Sequence, residues 1–154
     1  MVRIRPFADN DLARVCAIQA KCPQAAQWLG GDYLQLAGSP GGMILVAEVE
    51  AQAPHEVVGF AAFHRVDDEA EVRNVAIDPG RQRQGTARTL VAAGIRNLVE
   101  LGVRRIFLEV RASNLPACEL YVSVGFMLLS TRKKYYQNPD EDALVLALVR
   151  DGLS

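Results

Sequence analysis

Apolar positions along this chain follow two rhythms. Short runs at Val2–Arg5, Met43–Val49, Val57–Arg65 and Glu69–Ile77 are compact or alternating, as strands are. Between the first two, the wider spacing predicts helices over residues 10–21 and 24–37. Asp9 would cap the first, and Gly38-Ser39-Pro40-Gly41-Gly42 would stop the second. A loop holding Pro54 and a turn at Asp67-Asp68 join the next three strands into an antiparallel meander. From Ala87 the rhythm becomes helical, with Leu90, Val91, Gly94, Ile95, Leu98 and Leu101 on one side and Gly102 as the stop. Arg105–Val110 then reads as a strand, Leu115–Val124 as a helix ended by Gly125, and Phe126–Lys133 and Ala143–Val149 as two further strands. Strands, helices and their order predict an α+β (α/β) fold with a mixed sheet, in one domain over residues 1–154.

Composition narrows the function. Half of the 154 residues are hydrophobic, which supports a core for one domain of ordinary size. A net charge of −1 and a pI near 6.1 leave no basic footprint for nucleic acid. The start, MVRIRPFADNDL, has no apolar leader segment, and no apolar run approaches the roughly 18 residues of a membrane span. Cys16, Cys22 and Cys118 lack CxxC spacing and read as reduced thiols, which together predicts a cytoplasmic location without a membrane partner. His55 and His64 form no HxxxH pattern, so no metal is expected.

The densest local signal is Asn74-Val-Ala-Ile-Asp-Pro-Gly-Arg-Gln-Arg-Gln-Gly-Thr-Ala-Arg88. A strand hands over to a helix across two glycines and three arginines, Arg81, Arg83 and Arg88. A helix start offers unpaired N–H groups and partial positive charge, and glycine lets a ligand approach the backbone, so the turn has the form of a phosphate or pyrophosphate cradle. A solvated loop before an ordinary helix would read the same way. The dinucleotide pattern GxGxxG is absent. Gly80-RQRQ-Gly85-Thr86 nearly spells GxxxxGK[ST], but Thr86 stands where the phosphate-binding lysine belongs, which argues against nucleotide hydrolysis.

Gln82-x-x-Gly85-x-Ala87 resembles the Q/R-x-x-G-x-G/A signature of the GNAT superfamily of N-acetyltransferases. The resemblance extends to Ile4-Arg5-Pro6 with Asp11-Leu12, to Asn74–Pro79, to Leu108-Glu-Val-Arg-Ala-Ser-Asn114, to Leu120-Tyr121-x-x-x-Gly125-Phe126, and to Arg132, Tyr135-Tyr136 and Glu141-Asp-Ala143. It covers most of residues 69–149 and thins over 1–68. Within the superfamily the set is most similar to bacterial enzymes that acetylate the N-terminal alanine of a small-subunit ribosomal protein.

The resemblance implies a mainly antiparallel sheet of about seven strands with about four helices. It implies acetyl-CoA as cosubstrate, with direct transfer to an acceptor amine. Val75, Ala76 and Ile77 would meet the acetyl-pantetheine arm, and Arg83, Gln84, Gly85, Thr86, Ala87 and Arg88 the pyrophosphate. Asn114 would contact the pantetheine or thioester end. Glu109 would be the proton acceptor and Tyr121 the acid for the departing thiolate. Alternation in Arg105–Arg111 puts Phe107, Glu109 and Arg111 on one face; read from the residues alone, Glu109 could equally be a surface carboxylate paired with arginine, and Tyr121 a tyrosine packed on the sheet.

An α-amino group of pKa about 7.7 is about one-sixth neutral at pH 7, whereas a lysine near 10.4 is neutral about once in 2,500, so an N-terminal acceptor asks little of a base. Pro23–Trp28 and Tyr135–Asp142 are candidate walls of a peptide groove, and Asp140-Glu141-Asp142 could attract a basic peptide or form a hydrophilic loop. Gln27-Trp28 replaces the Pro-Trp pair of the related enzymes. Cys118, without a histidine nearby in sequence, reads as core. Acetylation of a small amine or a lysine side chain, or acetyl-CoA binding without turnover, stays open at this point, as does oligomeric state.

Overall fold

The computed structural model describes residues 2–50 and 55–150. Strands β1 (Val2–Pro6), β2 (Gly42–Val49), β3 (Glu56–Val66), β4 (Glu69–Ile77), β5 (Arg105–Arg111), β6 (Met127–Tyr136) and β7 (Glu141–Val149) form one sheet ordered β1-β2-β3-β4-β5-β7-β6. Every neighbouring pair is antiparallel except β4 and β5. Four α-helices flank it: α1 (Leu12–Ala20), α2 (Gly30–Gly38), α3 (Thr86–Glu100) and α4 (Leu115–Ser123). The expected mixed, mainly antiparallel sheet with helices on it is what forms. The loop holding Pro54 lies outside the described residues. No described helix is long and apolar enough to cross a membrane.

The helices cover both faces. Val15, Ile18, Tyr33 and Leu36 pack with Ile44, Val46, Phe60, Ala62 and Ala76 on the α1/α2 face. Leu90, Val91, Leu98, Tyr121 and Phe126 pack with Leu45, Phe63, Val72, Leu108 and Val110 on the α3/α4 face. Strand β3 lies between both layers, and Val57–Phe63 carry no polar side chain there, as a doubly covered strand requires. Contact between α3 and the sheet is close at Gly94, where a Cβ would lie 2.1 Å from Phe63 Cζ. The heptad-like sequence of α3 therefore needs a glycine on its buried stripe to admit that ring.

The first half of the chain departs from its sequence pattern at two places. The helix predicted over residues 24–37 starts only at Gly30, and residues 21–29 form a loop. Pro23 disfavours helical geometry at Cys22. The loop's polar groups are met elsewhere: Gln27 donates to the carbonyls of Cys22 and Ala25, and the Asn74 side chain binds both backbone groups of Ala26. The expected cap at Asp9 is also replaced. Residues Asp9–Asp11 form a 3-10 turn, and the buried Asp11 carboxylate accepts the Ala8 N–H at 2.8 Å and both terminal nitrogens of Arg5 at 2.9 Å.

A bulge sets the side-chain order of β4. Ala62 pairs with Asn74 but Phe63 pairs with Val72, so Arg73 is the extra residue. Before it, Ala70 and Val72 face α3/α4; after it, Asn74 and Ala76 face α1/α2 while Val75 and Ile77 face α3. The one-residue slip turns Asn74 into the core on the side of the 21–29 loop.

Candidate active site

Strands β4 and β5 pair only over Glu69–Glu71 with Arg105–Phe107. Beyond that they separate: Val75–Ile77 keep their ladder to β3, and Glu109–Arg111 keep theirs to β7. The gap opens toward the carboxyl ends of both strands. Backbone groups of Val75–Ile77 on the β5 side have no strand to bind, so this is where a linear ligand can complete the sheet.

At the end of the gap stands the turn that the sequence singled out. Asp78 leaves β4 with its N–H on the Val58 carbonyl at 2.7 Å and its carboxylate accepting the Gly80 N–H at 3.0 Å. Arg14 of α1 donates to the other carboxylate oxygen at 2.7 Å and to the Val57 carbonyl at 2.7 Å. The Gly80 N–H and the Arg14 guanidinium hold the Asp78 carboxyl below the usual carboxylate range. Arg83 and Gly85 adopt left-handed φ of +64° and +80°. Alternating handedness points successive N–H groups inward, and none of the backbone N–H groups of Arg83–Arg88 reaches an acceptor among the described residues. A Cβ on Gly85 would meet nothing within 4 Å, so the glycine is there for its φ and for open approach to its backbone. Thr86 is buried, Ala87 packs on the core, and Arg83, Gln84 and Arg88 are exposed around the rim. All six residues expected to hold a pyrophosphate thus meet in one turn at the start of α3.

Asn114 lies across the gap at the head of α4, where its side-chain oxygen accepts the Ala117 N–H as a cap. Its side-chain amide nitrogen has no hydrogen-bond partner among the described residues. Glu109 projects to the α1/α2 face, because Leu108 and Val110 are buried on the other. Its carboxylate takes a 2.8 Å hydrogen bond from Arg132. Tyr135 and Tyr136 stand beside it, stacked on Arg132 and Arg111 at 4.1 and 4.3 Å from the guanidinium carbons. Burial, and then the Glu109 charge, push the Tyr136 phenol up. Tyr121 lies in the opposite layer, buried edge-on to Phe126 with ring centroids 5.7 Å apart. Burial is the main reason its phenol pKa is raised, with the Cys118 thiol a smaller cause. The structure therefore puts Glu109 and Tyr121 on opposite faces of the sheet, with no hydrogen bond between them.

A groove of about 410 Å³ runs over the α1/α2 face from Glu109 and Arg132 to Phe107, Glu71, Glu69 and His64. Sequence reading missed the two β4 carboxylates. Their signal was there: Glu69-x-Glu71 alternates with buried Ala70 and Val72, so both acids share the face of Glu109. The acids that drew notice, Asp140–Asp142, divide differently. Glu141 accepts the Ser113 N–H and an Arg111 nitrogen, and Asp142 accepts the Lys134 N–H and the Lys133 ammonium. Those contacts hold the β5–α4 corner and the β6–β7 hairpin, and they lower both carboxyl pKa values. Cys118 is half-buried against the α3/α4 core, as expected, and burial pushes its thiol up. Among the described residues no group of His, Cys, Asp or Glu could hold a metal ion.

Comparison with known proteins agrees with this geometry. The profile of the acetyltransferase (GNAT) family matches residues 12–126. The ribosomal protein bS18-alanine N-acetyltransferase of Haemophilus ducreyi is 43% identical over 148 residues, covering 94% of this chain and 98% of that one. The crystal structure of the ribosomal-protein-S18-alanine N-acetyltransferase from Escherichia coli superimposes with a TM-score of 0.82 at 30% identity, over 100% of this chain and 99% of that one. Arabidopsis thaliana NAA60 in complex with acetyl-CoA gives a TM-score of 0.86 at 16% identity, over 99% and 100% of the two chains, a likeness of fold alone.

Proposed function

Because the chain belongs to the acetyltransferase (GNAT) family, we propose that it acetylates a primary amine with acetyl-CoA, the acceptor being a protein N-terminal alanine of the ribosomal type. The observation that carries this reading is the gap between β4 and β5, with an N–H-lined turn at its end and a carboxylate groove alongside. The cradle fits a pyrophosphate: its N–H groups are unpaired, its two left-handed residues turn them inward, and Arg83 and Arg88 add positive charge. Val75–Ile77 would lie along the pantetheine arm, Gln84–Ala87 under the pyrophosphate, and the Asn114 amide at the thioester end. Acetyl-CoA supplies an activated acyl group and a thiol that can leave.

Glu109 then takes the proton of the acceptor ammonium, directly or through water, at the head of the groove. Arg132 holds its carboxylate in place. The free N–H groups along Val75–Ile77 can bind a carbonyl oxygen as its charge rises. Tyr121, a phenol that is protonated at neutral pH and whose pKa burial raises further, is the donor for the leaving sulfur. Glu69 and Glu71 make the groove favour cationic acceptors. A groove with exposed acids along it, open to solvent, suits a peptide better than a small amine. The presence of both a candidate base, Glu109, and a candidate acid, Tyr121, favours turnover over cofactor binding alone. Its three free cysteines fit a cytoplasmic enzyme.

The test is thiol release from acetyl-CoA with three acceptors: a peptide beginning Ala-Arg, the same peptide with a blocked terminus and an internal lysine, and spermidine. Release with the free alanine terminus alone is expected. Release with lysine or spermidine alone would replace the acceptor, and silence with all three alongside tight acetyl-CoA binding would leave a binding module.

A further inference from the structure

One polar chain in the core is not explained by folding alone. Asn74 is 5% exposed, Gln19 7% and Tyr33 0%, yet all three are polar and bonded in series. The Asn74 side chain accepts the Ala26 N–H and donates to the Ala26 carbonyl, both at 3.0 Å. Its second N–H goes to the Tyr33 hydroxyl at 2.9 Å. Tyr33 donates to the Gln19 side-chain oxygen, and Gln19 donates to the Trp28 carbonyl at 2.8 Å. Both ends of this chain thus return to one loop: Ala26 at the start, Trp28 at the finish. The Tyr33 ring also supports Trp28 at 4.9 Å between centroids, and bulged Arg73 lies 5.8 Å from the indole.

The gripped loop, residues 21–29, faces the groove side of the sheet, and the gripping residue directly precedes Val75–Ile77. A hydrophobic side chain at 74 would pack in the core as well. It could not fix the height of a loop backbone above the strand. Only a side chain with donors and an acceptor in one plane can pair with both the N–H and the carbonyl of residue 26. The bulge at Arg73 is what turns this side chain toward the loop.

Resting on the acetyltransferase reading, we propose that Asn74 is a positioning residue for the acceptor: through Ala26, Tyr33 and Gln19 it sets the 21–29 loop as one wall of the acceptor site, without touching the acetyl donor. A buried network that is fully satisfied is rigid, and one broken link leaves its neighbours without partners.

The test uses Asn74→Ala and Tyr33→Phe in the full chain, since Tyr33→Phe keeps the ring on Trp28 and Phe60 should Asn74→Ala fold poorly. With whichever amine the wild type accepts, acceptor KM should rise about tenfold in Asn74→Ala and about threefold in Tyr33→Phe. The acetyl-CoA dissociation constant should stay within twofold in both. Amide hydrogen exchange should speed up over residues 21–29 and not over 83–88. Equal shifts in both KM values, or unchanged exchange in the loop, would overturn the positioning role. If the wild type used no amine at all, the acetyltransferase reading would fall, and the exchange experiment would still decide whether the clamp exists.

Discussion

The turn at residues 78–88 and the groove around Glu109 are built in opposite ways. The turn is made of backbone. Its working groups are N–H donors of consecutive residues, its shape comes from the left-handed Arg83 and Gly85, and its anchors Asp78 and Gly80 are two residues apart. The groove is made of side chains from distant segments. Glu109 meets Arg132 across 23 residues, and on the same face Asn74 grips Ala26 across 48. A binding function met by backbone needs only a local pattern. One that must discriminate among amines needs side chains, and these come together only when the sheet is assembled.

That contrast predicts how each region breaks. The largest effect is expected at the groove's chemistry: Glu109→Gln should slow turnover about 100-fold, the scale of lost acid–base help, with acetyl-CoA affinity intact. Steady-state kinetics beside calorimetric binding checks this, and unchanged turnover would remove the role. Next is the turn's backbone. Gly85→Val puts a β-branched residue at φ +80°, strain of about 1–2 kcal/mol. Acetyl-CoA affinity should fall about tenfold, while the acceptor KM at saturating acetyl-CoA changes little. A loss shared equally between both substrates would show that the two regions are not separable.

Smaller effects should follow from charge. Glu71→Gln should reduce the preference for a cationic second residue about threefold in competing peptides, whereas Glu141→Gln should not, because Glu141 is bound to Ser113 and Arg111. The opposite ranking would return the peptide-attracting role to the 140–142 segment. The smallest is a matter of pH. The Asp78 carboxyl is lowered in the folded chain, so its contribution is present above the ordinary carboxyl range and lost as pH falls through the lowered value. Asp78→Asn should lower Tm at neutral pH by about 2 °C, and the gap from wild type should begin to narrow below about pH 4 and close only below the lowered value.

The same contrast explains what could be read in advance. The seven strands, the α3 stripe and the glycine turn before α3 follow from short-range rules: alternation, helical spacing, and glycine where φ is positive. Glu109 was placed on the correct face of β5 by alternation alone. The helix expected over 24–29 was wrong because apolar spacing there serves a loop whose hydrogen bonds are supplied by Asn74, a partner no local pattern reveals. Glu69 and Glu71 were legible as an exposed face of β4, but not as neighbours of Glu109, because that depends on which strand β4 meets.

The amino-acid sequence by itself determined most of the elements and the glycine turn between β4 and α3, since each depends on groups within about one helical turn of one another. Only the tertiary structure decided that β4 and β5 separate after three residue pairs, that Arg73 bulges and turns Asn74 inward, and that Glu109 and Tyr121 lie on opposite faces of the sheet. Those outcomes depend on strand order and register, and register is fixed by burying both faces of the sheet at once.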